Sequence, residues 1–424
     1  MISLDLLRDD PDRVRRDMAD KRIGDPAAVD RALDADTRRR TAVTDLDGKR
    51  RRQGELGKEI GPLMKAGKRD QAQGLLAESN ALKAEIKTGE DEVRELDATL
   101  RAALLEIPNT LHPSVPRGGE DANRVEHEWG EKPTFDFEAV PHWDLADKHG
   151  LVDFERGAKV AGAGFPFYIG KGARLQRALI ALFLDLATEA GYTEIQAPIL
   201  VNEASGIGTG QLPDKEGQMY HTAADDLYLV PTAEVPLTNY LRDEVLAADD
   251  LPRLLTGYTP CFRREAGSYG KDVRGLNRLH QFDKVELVRF VHPDDSYDHL
   301  EALLADAERA VQALGLPYRR LTLASGDLGV TQAKTYDLEV WSAGQARWLE
   351  VSSVSNFEAY QARRANVRFR PAEGEKPQFV HTLNGSALAL PRIVAALLEN
   401  GQQADGSIRL PERLAAYAGF DTIG

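Results

Sequence analysis

Residues 29 to 107 contain no aromatic residue and repeat their apolar positions on a seven-residue beat, and nothing else in the chain restricts the fold so tightly. Leu75, Ser79, Leu82, Ile86, Gly89, Val93, Leu96, Leu100, Ala103 and Ile107 alternate spacings of four and three. That is the seam of one long helix, because 3.5 residues per repeat keep a single stripe facing a partner. A weaker seam runs through Val43, Leu46, Arg50, Gln53, Gly57, Ile60 and Met64. Between the seams lie Gly61-Pro62 and then Ala66-Gly67-Lys68, and a proline with two glycines breaks a helix. Two seams on one chain with a short turn between them can pair with each other. The expected structure is therefore an antiparallel two-helix coiled-coil hairpin.

The first of these helices is basic. From Asp36 to Asp70 there are 11 Lys or Arg and 6 Asp or Glu, a local +5 in a chain whose net charge is -14. Arg38, Arg39, Arg40 and the run Lys49, Arg50, Arg51, Arg52 carry most of it. Such a run is either a solvated helix face or a phosphate-contacting arm. The acidic whole-chain balance gives no sign of nucleic-acid binding, so any such binding rests on this local patch.

A length of 424 residues suggests two or three domains, and 42% hydrophobic residues supply a core. A single cysteine, Cys261, excludes an intrachain disulfide and argues against a zinc site built on cysteines. Met1 to Asp10 is acidic and has no apolar run, so it does not read as a signal peptide. No stretch of about 18 apolar residues marks a membrane span. A cytoplasmic protein with no membrane partner is expected.

Pro108, Pro113, Pro116, Gly118 and Gly119 mark a linker. The expected organisation is an N-terminal hairpin domain over 1–108, a linker over 109–125 and a second domain over 126–424. In the second domain the pattern predicts a helix over 173–190 capped by Gly191, then a strand over 192–201. It predicts a helix from Pro293 to about Leu314. Strands are expected over 254–265, 279–290, 337–341 and 347–352. Strands that follow one another without helices between them favour an antiparallel sheet and an α+β fold.

Four segments carry polar groups that chemistry could use. Phe262 to Glu286 reads as strand, long loop, strand, and the loop carries Arg263, Arg264, Lys271, Arg274 and Arg278. Hairpin loops usually have two to five residues. A long one dense in cations suits a polyphosphate or is simply a charged surface loop. In Thr382 to Arg392, Ser386 is expected to cap an apolar helix, Pro391 to kink it, and Arg392 to need an anionic partner. Thr232-Ala233-Glu234 reads as a helix cap with an early acid. Glu350 to Ser353 reads as one strand with alternating faces. Gly206, Gly208 and Gly210 have the wrong spacing for a dinucleotide fingerprint, and Gln211-Leu212-Pro213 does not open a helix. Neither a Walker A sequence nor HExxH occurs.

Together these segments resemble the class II aminoacyl-tRNA synthetases, and specifically the bacterial type of seryl-tRNA synthetase. Gly191 to Pro198 is similar to motif 1, Phe262 to Glu286 to motif 2, and Leu383 to Arg392 to motif 3. Thr209 to Pro213 and Ile408 to Leu414 also match the family. The N-terminal hairpin separates the seryl enzymes from their class II relatives. The resemblance implies an antiparallel catalytic sheet flanked by helices, a homodimer, and ATP with Mg²⁺. It implies L-serine as substrate, and tRNA(Ser), with tRNA(Sec) where the host has it, as partner. Arg263, Glu350 and Arg392 would be catalytic. ATP would meet Arg263, Arg264, Glu265, Phe282, Glu350, Val351, Ser352, Ser353 and Arg392. Serine would meet Thr232, Ala233, Glu234, Glu286, Asn384 and Ser386. The tRNA would meet Arg38, Arg39, Arg50, Arg51 and Arg52, and the metal Glu350 and Ser353. Arg264 and Tyr269 stand where smaller residues are expected, which puts acceptor-stem contacts in question. A ligase that charges a carrier protein, or a non-catalytic relative, is the alternative; the hairpin argues against the first and the retained motif residues against the second.

Overall fold

The computed structural model describes residues 1–214, 216–265 and 274–424; Tyr269 and Lys271 lie outside the described residues. The chain divides into two compact units, Ile2–Pro108 and Asn109–Gly424.

In the first unit, two short helices, α1 (Leu4–Asp9) and α2 (Pro11–Lys21), precede the two long ones, α3 (Ala27–Lys65) and α4 (Arg69–Glu106). Every seam position expected on α4, from Leu75 to Ile107, is at least partly buried, and their immediate neighbours are mostly exposed. On α3 the seam differs from expectation. Leu46, Gln53 and Ile60 face inward as predicted, whereas Arg50, Gly57 and Met64 are exposed and Lys49, Leu56 and Leu63 take their places. Leu56 is fully buried. Burial of one leucine contributes about 1.5–3 kcal/mol, and exposing it to bury Gly57 would forfeit that. Gly61-Pro62 also fails to break the helix, which runs on to Lys65 and turns at Ala66 and Gly67. Gly61 has no Cβ to clash with the proline ring, and the lost hydrogen bond falls in the last turn. Opposite Leu46 stands Gly89, where a Cβ would lie 3.3 Å from Leu46 Cδ1, so the helices approach closely there.

The second unit is built on an eight-stranded sheet. In chain order its strands are β1 (Arg124–Trp129), β2 (Thr193–Glu194), β3 (Arg253–Phe262), β4 (Gln281–Val291), β5 (Tyr318–Thr322), β6 (Lys334–Ser342), β7 (Arg347–Asn356) and β8 (His381–Ala389). In space they run β1-β5-β6-β7-β8-β4-β3-β2, and all neighbours are antiparallel except β2 with β3. The expected strand over 192–201 is thus only a short edge strand, with Leu200–Val201 joining a separate small sheet.

Helices used below are α5 (His142–Lys148), α6 (Lys171–Glu189), α7 (Glu203–Thr209), α8 (Glu234–Asn239), α9 (Ser296–Ala313), α10 (Tyr360–Ala365) and α11 (Leu390–Asn400). Leu175, Leu179 and Phe183 of α6, Leu300 and Leu304 of α9, and Ile393 and Leu397 of α11 share one core with Leu338, Val340 and Val354 of the sheet. Segment 109–116 packs on this unit: Asn109 Nδ2 donates to Thr331 O and Phe357 O, both at 2.9 Å, and Leu111 and Val115 pack with Leu323 and Leu328. The glycines of 206–210 lie in α7 and at its left-handed end, with no dinucleotide loop.

Candidate active site

β4 and β8 meet at the centre of the sheet, and the site is built on that junction. Glu286 on β4 stands opposite Ser386 on β8 and Gly257 on β3. Small partners on both sides leave room around its carboxylate. Glu286 Oε2 accepts from Thr232 Oγ1 at 3.0 Å and pairs with Lys284 Nζ at 2.5 Å. All three are buried. An ion pair in this setting persists only because further hydrogen bonds satisfy it.

Thr232 does not cap a helix in the way its sequence suggests. The capping position of α8 is Ala233, which is buried, and Thr232 Oγ1 receives Glu234 N–H at 3.1 Å while donating to Glu286. This turn therefore holds two carboxylates near each other. Glu234 is partly buried, and Gln361 Nε2 of α10 donates to it at 2.7 Å. Burial first, and then the negative Glu286, raise the Glu234 carboxyl to about 7. Lys284, Gln361 and Asn384 oppose that rise. Asn384 Nδ2 is buried and makes no hydrogen bond of its own within ordinary limits. A buried amide donor of this kind beside two carboxylates is what a small polar ligand would satisfy.

Ser386 is likewise not a helix cap. It lies within β8, which continues to Ala389, and its carbonyl accepts from Ser352 Oγ of β7 at 2.7 Å. Between Ser386 and Ala389 the strand carries one more residue than β4 opposite it, and Leu388 takes φ +74. Pro391 falls in the first turn of α11, where its fixed φ suits a helix start, and so produces no kink. The bulge delivers the next charged residue, Arg392, to the open side. Arg392 Nε donates to Asn277 O at 2.9 Å and Nη1 to Glu350 O at 2.7 Å, with Glu350 Oε2 at 3.4 Å.

The expected alternation over 350–353 is interrupted. A register shift against β6 buries both Val351 and Ser352. Val351 belongs to the core, so any contribution it makes to a ligand comes from its backbone. Glu350 and Ser353 stay accessible, and Ser353 Oγ donates to Asp337 at 2.5 Å and lies 3.4 Å from Glu350. They line a cavity of about 340 Å³ with Asp327, Asp337 and Glu339. Burial and the facing Glu350 push the Asp337 carboxyl well above its usual range. Two facing carboxylates and a hydroxyl form an all-oxygen donor set of the kind hard cations take. Among the described residues there is no group of three or more His, Cys, Asp or Glu that could hold a metal by itself.

At the hairpin, Arg263 stacks over Phe282 at 5.1 Å from the ring centroid, and its Nε donates to Pro231 O at 3.3 Å. Arg264 is exposed and its N–H donates to Gln218 O at 2.8 Å. Glu265, at φ +49, is paired with Arg278. Pro231, Thr232, Glu286, Ser386 and Ser352 thus connect Arg263 to the strand that carries Glu350. Gln361 lies in no recognisable motif. Lys284 had a weak signal, two residues before Glu286 on the same strand face. Arg38, Arg39, Arg50, Arg51 and Arg52 belong to the other unit.

An antiparallel sheet with a long hairpin of this kind, followed by a strand that hands an arginine to a helix, defines a class II aminoacyl-tRNA synthetase core. Residues 219–401 match the family model described as the tRNA synthetase class II core domain (G, H, P, S and T), and residues 1–111 match the seryl-tRNA synthetase N-terminal domain. A serine–tRNA ligase of Salinibacter ruber is 61% identical over 425 residues, covering 100% of this chain and 99% of that protein. The crystal structure of seryl-tRNA synthetase from Pyrococcus horikoshii complexed with ATP superposes with a TM-score of 0.92 at 37% identity, over 100% of this chain and 99% of that one. The cytoplasmic serine–tRNA ligase of Naegleria fowleri in complex with AMP gives 0.87 at 27% identity, over 100% and 98%. The chain belongs to the seryl-tRNA synthetase family.

Proposed function

We propose that this chain activates L-serine with ATP to seryl-adenylate and then transfers the serine to tRNA(Ser), and to tRNA(Sec) where the host has it. The observation that carries the reading is the pair Glu234 and Glu286, set beside Thr232 and the buried amide of Asn384. One carboxylate takes the serine ammonium and the other groups take its hydroxyl. A site that hydrogen-bonds a substrate hydroxyl rejects an analogue lacking it by roughly 10⁴ or more.

Arg263 holds the α-phosphate and Arg392 the γ-phosphate end. Phe282 stacks on adenine, and Glu265, Ser352 and the Val351 backbone line the nucleotide site. Arg264 lies at its mouth. Glu350 and Ser353 would hold a Mg²⁺ ion, which would supply neutralisation of phosphate charge there. The serine carboxylate attacks the α-phosphorus in line, the α–β phosphoanhydride breaks and pyrophosphate leaves. The tRNA terminal ribose hydroxyl then attacks the seryl carbonyl and AMP leaves. No side chain forms a bond to substrate, so this chain contributes orientation and charge. Arg38, Arg39, Arg50, Arg51 and Arg52 supply phosphate contacts to tRNA. The exposed Ile199 and Leu200 beside motif 1 suit a homodimer contact. No helix among the described residues is long and apolar enough to cross a membrane, and the proposed reaction places the enzyme in the cytoplasm.

Amino-acid-dependent exchange of pyrophosphate into ATP, run with each of the twenty amino acids, tests the reading. Exchange with serine above all others is expected. A folded preparation with no serine-dependent exchange would refute it.

A further inference from the structure

The first turn of α5 has no part in the site described so far, yet it grips the returning end of the hairpin. His142 is fully buried. Its Nδ1 lies 2.7 Å from Glu399 Oε1, and its Nε2 accepts the Leu276 backbone N–H at 2.9 Å. A backbone N–H can only donate, so Nε2 carries the lone pair and the proton sits on Nδ1, directed at Glu399. The imidazole is thereby fixed in one orientation. Glu399 is itself held firmly: it accepts from the His142 and Gly344 backbone N–H groups, both at 2.9 Å, and from Ser342 Oγ. Burial works against that carboxylate, but the hydrogen bonds from His142 and Ser342 keep it ionised.

The neighbouring residues press on the same four-residue stretch of chain. Arg274 stacks on Trp143 at 4.5 Å from the ring centroid, with Asp144 Oδ1 3.8 Å from its Nη2. Gly275 takes φ +67, and a Cβ there would lie 2.3 Å from His142 Nε2, so the backbone can sit on the imidazole only as glycine. Asn277 Nδ2 donates to Gln345 Oε1 at 2.9 Å. The next contact reaches the phosphate arginine: Asn277 O is the acceptor for Arg392 Nε.

Glu399 and Arg392 stand seven residues apart on α11, about two turns, and therefore on one face. The helix holds residues 276–277 at both ends, through His142 at one and directly at the other. Arg392 is then fixed by two backbone carbonyls, Asn277 O and Glu350 O, and its Nη2 has no protein partner among the described residues. We propose that His142, with Glu399 behind it, is a positioning residue for ATP: it sets the backbone at Leu276-Asn277 and through it the aim of Arg392. The inference rests on the assignment of Arg392 to the nucleotide.

The test is steady-state pyrophosphate exchange by the full-length chain with His142→Phe, which removes both hydrogen bonds, and His142→Gln, which keeps one donor and one acceptor. H142F is expected to lower kcat/KM for ATP by roughly 10- to 100-fold, the scale of a displaced binding group. KM for serine should stay within about twofold, and H142Q should recover most of the loss. An ATP KM and kcat unchanged in H142F, equal loss for serine and ATP, or no rescue by H142Q would overturn the proposal. Should H142F fail to fold, Gly275→Ala, whose Cβ would displace the same backbone while His142 stays in place, carries the same test with the same expected split between ATP and serine. Wild-type protein lacking serine-dependent exchange would instead overturn the active-site reading.

Discussion

Glu234 is pulled in two directions. Burial and Glu286 favour its neutral form, while Lys284, Gln361 and Asn384 favour the carboxylate, and the balance leaves it near 7. An ammonium substrate needs the ionised form. As pH falls through 7 the carboxyl takes up a proton, so kcat/KM for serine in pyrophosphate exchange should fall toward tenfold per pH unit and should level off above 7. A flat profile from pH 5.5 to 8 would contradict the role. The stability sign is opposite. A carboxyl raised from 4.5 in the unfolded chain to about 7 in the folded one binds more protons when folded, so its contribution is full below 4.5 and is lost as pH rises through 7. Much of this residue-scale picture was legible, because Thr232, Glu234, Glu286, Asn384 and Ser386 sit in recognisable segments. The roles of Ser386 and Pro391 were misread, since a strand that carries a bulge and then a helix shows the same residues as a capped, kinked helix. Gln361 and the pair His142–Glu399 were invisible: the latter are 257 residues apart, and only the folded sheet brings them together.

Among the elements, the two long helices show both what periodicity reveals and where it stops. On α4 nearly every seam position is apolar or small, so the phase is unambiguous. On α3 the apolar positions are sparse, and a count that admits Arg50 and Gly57 fits as well as one that admits Lys49 and Leu56; only burial against α4 decides. The pairing also changes how the basic run reads. Arg50 meets Glu90 at 2.7 Å, Arg52 meets Glu78 at 2.9 Å, Lys49 meets Glu85 at 3.2 Å and Arg39 pairs with Asp97. Such exposed pairs contribute at most about 1 kcal/mol each, so phosphates can compete for the arginines. Arg51 is exposed and has no ion pair among the described residues. Arg51→Gln should therefore reduce the salt slope of tRNA binding by about 1, and Arg50→Gln or Arg52→Gln should reduce it by less. Equal slopes in all three variants and the wild type would return this run to a solvated face.

For the whole molecule, charge is unevenly distributed along the chain. From Gln71 to Ile107 there are eight Asp or Glu and four Lys or Arg, a net -4 that nearly cancels the +5 of the preceding stretch. The two stretches together are thus close to neutral, so contact with a polyanion rests on individual arginines rather than on a strong field. On the proposed reading, activation uses only groups of the second unit, while tRNA phosphates are assigned to the first. Deleting residues 36 to 98 removes Arg38, Arg39, Arg50, Arg51 and Arg52 together and leaves Arg31 with its partner Glu106, 2.7 Å away, at the base of the hairpin. Serine-dependent pyrophosphate exchange and serine attachment to tRNA, measured on the same preparations of the intact and deleted chains, test this division most directly. Exchange within a few-fold of the intact enzyme and tRNA charging reduced by roughly 10²-fold or more are the expected result, the loss corresponding to several phosphate contacts. Charging retained by the deleted chain, or exchange and charging lost in equal measure, would contradict it.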